Sequence, residues 1–398
     1  MVLHFPETLE TSVDRDKLDR LRAELPAVSK TGYFNAGTNG PLPKAVHGAI
    51  VGASDRDFTE GRIGPNLYQS MQADAQGVRD LFAEIFNASP AEVALTRSTS
   101  EGLNIALMGM QWQPGDEILT VQLEHVCLFC AIGLVCHRHG ATVKVVDIGA
   151  GARDVAAQIE QAIGPRTKAI AISHVQWSSG AIMPLKEIAA MARARGIITI
   201  VDAAQAAGQI AVDFHDLGVD AYAIAGQKWL CGPNGSGALF VRQDRMGHIL
   251  PTYLRYGAFD QFGFVVPPPN ASRYEMGETF NPAVRGQAAG LRWLKDEVGF
   301  DWLTKRHHEL GQRCADGLSE IDGVAVTSPR DHMAGLVCFT VEGKTVKDIS
   351  DAVYQRGYTI RYVDQRPGPS VVRVSTGWWC TEEEVDGLVA AIAEVARA

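Results

Sequence analysis

Short, nearly continuous apolar runs alternate with longer amphipathic stretches through the middle of the chain. Residues 93–96, 117–122, 142–147, 168–175, 197–201, 221–225 and 238–242 read as strands. Several of these carry almost no polar position on either face, as expected where both faces of a sheet are covered. The segments between them, including 127–136, 154–163 and 184–195, read as helices. Strands and helices alternating at these lengths predict an α/β fold with a mainly parallel, seven-stranded sheet.

The flanks differ. Residues 1–30 are polar apart from a helical spacing of Leu18, Leu21 and Leu25. A second helical stretch covers 44–86 and is interrupted at Gly61–Asn66. From Pro282 the pattern becomes helical, with Leu291, Trp293, Leu294 and Val298. Strands are then expected at 324–327, 335–341, 359–363 and 371–375, and a closing helix opens on the capping-box pair Thr381 and Glu384. This predicts an N-terminal arm (1–30) packing with a small α+β C-terminal domain (282–398), and a large domain over 31–281.

Composition narrows the functional classes. A chain of 398 residues is long enough for two domains. A net charge of −9 without a Lys/Arg-rich run argues against a nucleic-acid partner. No apolar stretch reaches the ~18 residues of a membrane span, and the first residues lack the basic and apolar regions of a secretory signal. Seven cysteines, odd in number and scattered in apolar settings, suggest reduced thiols and a cytoplasmic protein. Cys127, Cys130 and Cys136 lie on an apolar helix with His137 and His139 at its end. Core packing is the expected role of these thiols, in preference to a metal site.

The candidate chemistry centres on 197–228. Each of two neighbouring apolar runs is followed by one ionisable residue, Asp202 and Lys228. A carboxylate and an amine at adjacent strand ends are what pyridoxal 5'-phosphate requires: an amine to bond its aldehyde, and an acid to keep its ring nitrogen protonated. Upstream, Arg97-Ser-Thr-Ser-Glu101 opens a helix. A hydroxyl-rich turn there can bind phosphate, although a Ser/Thr helix cap reads the same way. The glycines at 232–237 do not form a nucleotide loop, because the lysine precedes them.

Asp202-Ala-Ala-Gln205 and Gly226-Gln-Lys-Trp-Leu-Cys-Gly-Pro-Asn-Gly-Ser-Gly237 resemble the class V aminotransferase family of fold type I pyridoxal phosphate enzymes. The resemblance runs from about Phe34 to the C-terminus. It implies that Thr99 and Ser100 hold the phosphate, that His125 lies flat over the ring, and that Gln176 and Gln205 bond the ring oxygen. It places Asn35 beside the substrate and assigns Arg373 to the substrate carboxylate, with Arg361 and Arg366 as nearby alternatives. The family's phosphate-binding Ser and His are replaced by Ala225 and Gln227, of which only Gln227 can donate. Arg273-Tyr-Glu-Met-Gly-Glu278-Thr279 is similar to a segment whose hydroxyl reaches the phosphate of the other subunit. This implies a homodimer with shared active sites, Thr279 supplying that hydroxyl in place of Glu278.

The resemblance leaves the reaction more open than the cofactor. Persulfide-relay desulfurases carry a cysteine on the loop that here reads Tyr362 to Ser370, which has none. The sequence therefore favours a cysteine- or cystine-type C–S lyase. An isopenicillin N epimerase-like amino-acid epimerase and a class V aminotransferase are the alternatives.

Overall fold

A computed structural model describes residues 15–398 apart from 152–153, 256–257, 261, 264, 278 and 365–368. After a two-residue strand β1 (Gly32–Tyr33), the seven central apolar runs become β2 (Val93–Thr96), β3 (Glu117–Val121), β4 (Thr142–Val146), β5 (Thr167–Ser173), β6 (Ile198–Asp202), β7 (Ala221–Ala225) and β8 (Gly237–Val241). Among the described residues they form one sheet in the order β2-β8-β7-β6-β5-β3-β4. Strands β4, β3, β5, β6 and β7 run parallel, and β8 is antiparallel to both of its neighbours.

Strands β6, β7 and β8 are buried at every position. The edge strand β4 is exposed at four of its five positions. Along β7, Tyr222 and Ile224 enter one core cluster while Ala221 and Ala223 enter the other. The alanine face matters to the site. A Cβ added at Gly102 would stand 2.9 Å from the Ala223 Cβ, so the helix Thr99–Gly109 lies directly on the sheet. Close packing holds that helix's N-terminus at the carboxyl edge of the parallel strands.

The C-terminal strands are β9 (Val324–Val326), β10 (Leu336–Val341), β11 (Tyr358–Thr359), β12 (Arg361–Val363) and β13 (Val371–Ser375). Four of them form an antiparallel sheet in the order β12-β13-β10-β9. The expected strand at 359–363 is divided: β11 pairs with β1, while β12 pairs with β13. Two partners on different sheets draw one alternating run apart, which periodicity alone does not reveal. The chain after β1 stays against this region, since Asn35 bridges to Ser375. The helix Arg15–Ala23 buries Leu18 and Leu21, and its Arg22 pairs with Glu384 at 2.7 Å. Glu384 also completes the capping box of the closing helix Glu382–Arg397 with Thr381.

Candidate active site

Parallel register builds the site. Ser173 is paired with Asp202 across β5 and β6, and Asp202 with Ala223 across β6 and β7. The carboxyl ends of these strands therefore finish side by side, with Lys228 just beyond β7. Ligands of open α/β sheets bind at such an edge. A cleft of about 360 Å³, counting its part open to solvent, brings together Thr99, Ser100, His125, Asp202, Gln205 and Lys228. A larger groove of about 800 Å³ lies between the helices Lys44–Thr59, Leu67–Ile85 and Asn281–Trp293. It gathers glycines, alanines, three arginines and Asp74, so size does not locate the chemistry.

Asp202 is 5% exposed and accepts the Ala204 N–H at 2.9 Å. Burial raises its pKa, opposed by the positive charge of Lys228. The same burial lowers Lys228 to about 8, opposed by Asp202. Each group thus limits the cost of desolvating the other. Backbone contacts fix the lysine's approach: Gly40 N–H donates to the Gln227 carbonyl, and a Cβ at Gly40 would stand 2.3 Å from the Lys228 carbonyl.

Ser98 caps the helix Thr99–Gly109, its hydroxyl accepting the Glu101 N–H at 3.2 Å. Capping by Ser98 leaves the next two hydroxyls free of that duty. Thr99 is 6% exposed, and its Oγ1 has no hydrogen-bond partner among the described residues. A buried, unpaired donor facing a cleft at a helix N-terminus suits an anion.

His125 caps the next helix, Val126–His139, with Nδ1 accepting the Cys127 N–H at 3.2 Å. The acceptor role places the ring proton on Nε2. Burial first, then the charges of Lys228, Arg373 and Arg361, lower its pKa to about 4, so the imidazole is neutral. Its ring meets Trp177 edge-on at 4.6 Å.

Arg373 is 1% exposed and donates to the Trp177 carbonyl and the Thr38 hydroxyl, both at 3.3 Å. Its Nε is buried without a partner among the described residues, and burial lowers its pKa to about 10. Arg361, its partner in register, also donates to Thr38, at 3.0 Å, and its Nε is likewise unpaired. Thr38 in turn donates to Asn35 Oδ1 at 2.7 Å. A Cβ at Gly37 would stand 2.9 Å from both the Arg373 Nη2 and the Ser375 hydroxyl, so a side chain there would push the guanidinium from its place. Two cations held together by a neutral hydroxyl make a natural receptor for a carboxylate.

Other sequence-predicted residues lie differently. Gln176 is fully buried and does not line the cleft; its Nε2 donates to Glu124 Oε1 at 3.0 Å. Gln205 lines the cleft, but its amide is held by the Gly37 carbonyl at 2.9 Å and by the Trp229 indole at 3.0 Å. Gln227 keeps a buried Oε1 without a partner, outside the cleft lining. Thr279 is exposed, while Glu278 and Arg366 lie outside the described residues.

Sequence reasoning missed Glu124. This carboxyl accepts the Ser173 N–H at 2.9 Å, meets the Ser173 hydroxyl, and accepts from Gln176. Burial raises its pKa to about 7. The signal was its place directly before His125, whose position it anchors to the end of β5. Thr38 was hidden in a glycine-rich turn. The cysteines also depart from expectation: Cys130 is exposed, and Cys127 is half-buried and lines the cleft. In the first turn of their helix Cys127 faces the cleft at the sheet edge, while Leu128 beside it packs into the core.

The residues present fit pyridoxal 5'-phosphate: an unpaired hydroxyl stands at a helix N-terminus, and a mutually stabilised amine and carboxylate share its cleft. Comparison with known proteins agrees. A profile of the aminotransferase class-V family matches residues 33–388. A probable cysteine desulfurase of Xylella fastidiosa (strain 9a5c) is 28% identical, the match covering 95% of each chain. Isopenicillin N epimerase of Streptomyces clavuligerus is 27% identical over 90% of this chain and 93% of its own. Among solved structures, the cystine C–S lyase C-DES with its reaction product cysteine persulfide superposes with a TM-score of 0.88 at 28% identity, covering 93% of this chain and 99% of that one. A C-DES variant with glycine covalently linked to its pyridoxal phosphate gives 0.89 at 28% identity, covering 94% and 99%.

Proposed function

The chain belongs to the class V aminotransferase family, and from that premise we propose that it is a pyridoxal 5'-phosphate-dependent C–S lyase acting on cysteine- or cystine-type amino acids. One observation carries the reading: Asp202 and Lys228 from adjacent strand ends line one cleft with the unpaired Thr99 hydroxyl. When bound, the cofactor supplies a ring that draws electrons from the substrate Cα, which permits loss of a group from Cβ.

The chain's own residues do the rest. Lys228 holds the cofactor and moves the Cα proton on its Nζ; an amine lowered to about 8 is neutral often enough to accept one. Asp202 would accept from the ring nitrogen. Thr99 and Ser100 would donate to the phosphate, and His125, as a neutral imidazole, would pack against the ring. Arg373, with Arg361 beside it, takes the substrate carboxylate and so fixes the Cα–H direction. Gln176 and Gln205 position Glu124 and Trp229.

A homodimer fits the exposed Thr279 and the neighbouring Phe280, 67% exposed; in that arrangement Thr279 serves the partner's phosphate. Seven free cysteines fit a reducing, cytoplasmic setting. No helix among the described residues is long and apolar enough to cross a membrane.

The test is a substrate screen of the purified yellow protein. Cystine, cysteine and S-alkylcysteines should yield pyruvate and ammonia, and Lys228→Ala should be inactive. Inverted Cα configuration without pyruvate would favour epimerisation, and keto-acid formation with a second substrate would favour transamination.

A further inference from the structure

Cys127 shares the cleft with Lys228, Asp202 and Thr99, and lysine-based elimination gives it no task. We propose that Cys127 is a sulfur-accepting thiol, which takes the outer sulfur of an alkyl persulfide in the cleft and holds it as an enzyme-bound persulfide. The inference rests on the C–S lyase reading for its source of persulfide, since cleavage of a disulfide-containing amino acid at its C–S bond leaves one.

Placement separates this cysteine from the others. Cys231, Cys314, Cys338 and Cys380 are buried, and burial pushes each of their pKa values up, to about 12 at Cys314 and Cys338. Those thiols meet no substrate. Cys127 is half-buried, follows His125 at the start of a helix of 14 residues, and lines the same cleft as Lys228. The cleft itself is built to hold a ligand, as the unpaired Thr99 hydroxyl shows. Arg373 and Arg361 supply the carboxylate receptor that would retain an amino-acid persulfide nearby. The segment from Tyr362 to Ser370 contains no cysteine that could compete for the sulfur.

The transfer balances without an added oxidant. Cys127, as its thiolate, attacks the outer sulfur of R–S–SH. A new S–S bond forms at Cys127, the original S–S bond breaks, and its electron pair leaves with R–S⁻. The proton lost by Cys127 goes to that leaving thiolate. One sulfur atom moves between two thiols.

Peptide mass spectrometry of the unmodified holoenzyme tests this after incubation with cystine or with preformed cysteine persulfide, followed by iodoacetamide. The expected result is the mass of one added sulfur on Cys127, retained in Cys130→Ser and lost in Cys127→Ser. Pyruvate formation with Cys127 unloaded by either probe overturns the inference and leaves the lyase reading standing. Loading by preformed persulfide without pyruvate from cystine supports the thiol's role and sinks the lyase reading. Added sulfur confined to Cys130 or Cys136, or to no cysteine, also overturns the inference.

Discussion

Replacing Glu124 by glutamine should make the protein relatively more stable as pH rises. In the native state burial holds this carboxyl at about 7, against an ordinary 4.5. Asp202 adds to the effect with its own negative charge, while the bonds from Gln176 and Ser173 oppose it. At pH below 4.5 both folded and unfolded states keep the proton. Between 4.5 and 7 the unfolded chain releases it and the native state does not, so native stability falls as pH rises; above about 7 the loss is complete. At ~1.4 kcal/mol per pH unit, that interval corresponds to about 3 kcal/mol.

Glutamine has the shape and hydrogen-bonding pattern of the protonated acid. Its oxygen can accept from Ser173 N–H and Gln176 Nε2, and its NH2 can donate to the Ser173 hydroxyl. Urea unfolding of cofactor-free wild type and Glu124→Gln should therefore give similar free energies near pH 5, on the order of 1 kcal/mol apart. The variant should gain roughly 2–3 kcal/mol on the wild type by about pH 8. Glu124→Ala separates charge from hydrogen bonding, because it strands three buried donors, the Ser173 N–H and hydroxyl and the Gln176 amide, at ~1–3 kcal/mol each at both pH values. A wild-type-to-Gln difference that does not change with pH would refute the reasoning.

Thr99→Val should weaken cofactor binding by apoenzyme ~10- to 100-fold, the worth of one hydrogen bond to a charged group, with little change in unfolding free energy because the hydroxyl has no protein partner. Ser98→Ala should instead cost ~1 kcal/mol of stability by removing a helix cap, as chemical denaturation would detect. Arg373→Met should raise KM for amino-acid substrates at least about tenfold while leaving thermal stability unchanged or higher, since an unpaired buried charge is removed. Capture of pyridoxal phosphate by apoenzyme, followed by absorbance, should accelerate as pH rises through about 8, where Lys228 loses its proton. The imidazole of His125, neutral down to about 4, should contribute no inflection above that value.

The strands of the main sheet, the helices between them and the Asp202–Lys228 pair were legible in the chain. Burial on both faces forces continuous apolar runs, and the polar residues at which those runs stop mark the sheet edge. The hydroxyl-rich turn was legible too, but its division of labour was not. Ser98 caps and Thr99 is left free because the helix begins at Thr99, and Gly102 lets that helix seat closely on Ala223 of β7.

Contacts between distant segments were decided by the tertiary structure alone. Thr38 joins Arg361 and Arg373 because β1 pairs with β11 and Asn35 with Ser375. Glu124 became a carboxyl near neutrality because tertiary packing buries it at the dry end of the sheet, where the Ser173 bonds delivered by β5 only partly offset that burial. Cys127 reads locally as core and faces the cleft instead. Periodicity records which side of an element avoids water; it does not record which remote element, or which cavity, that side or its end will meet.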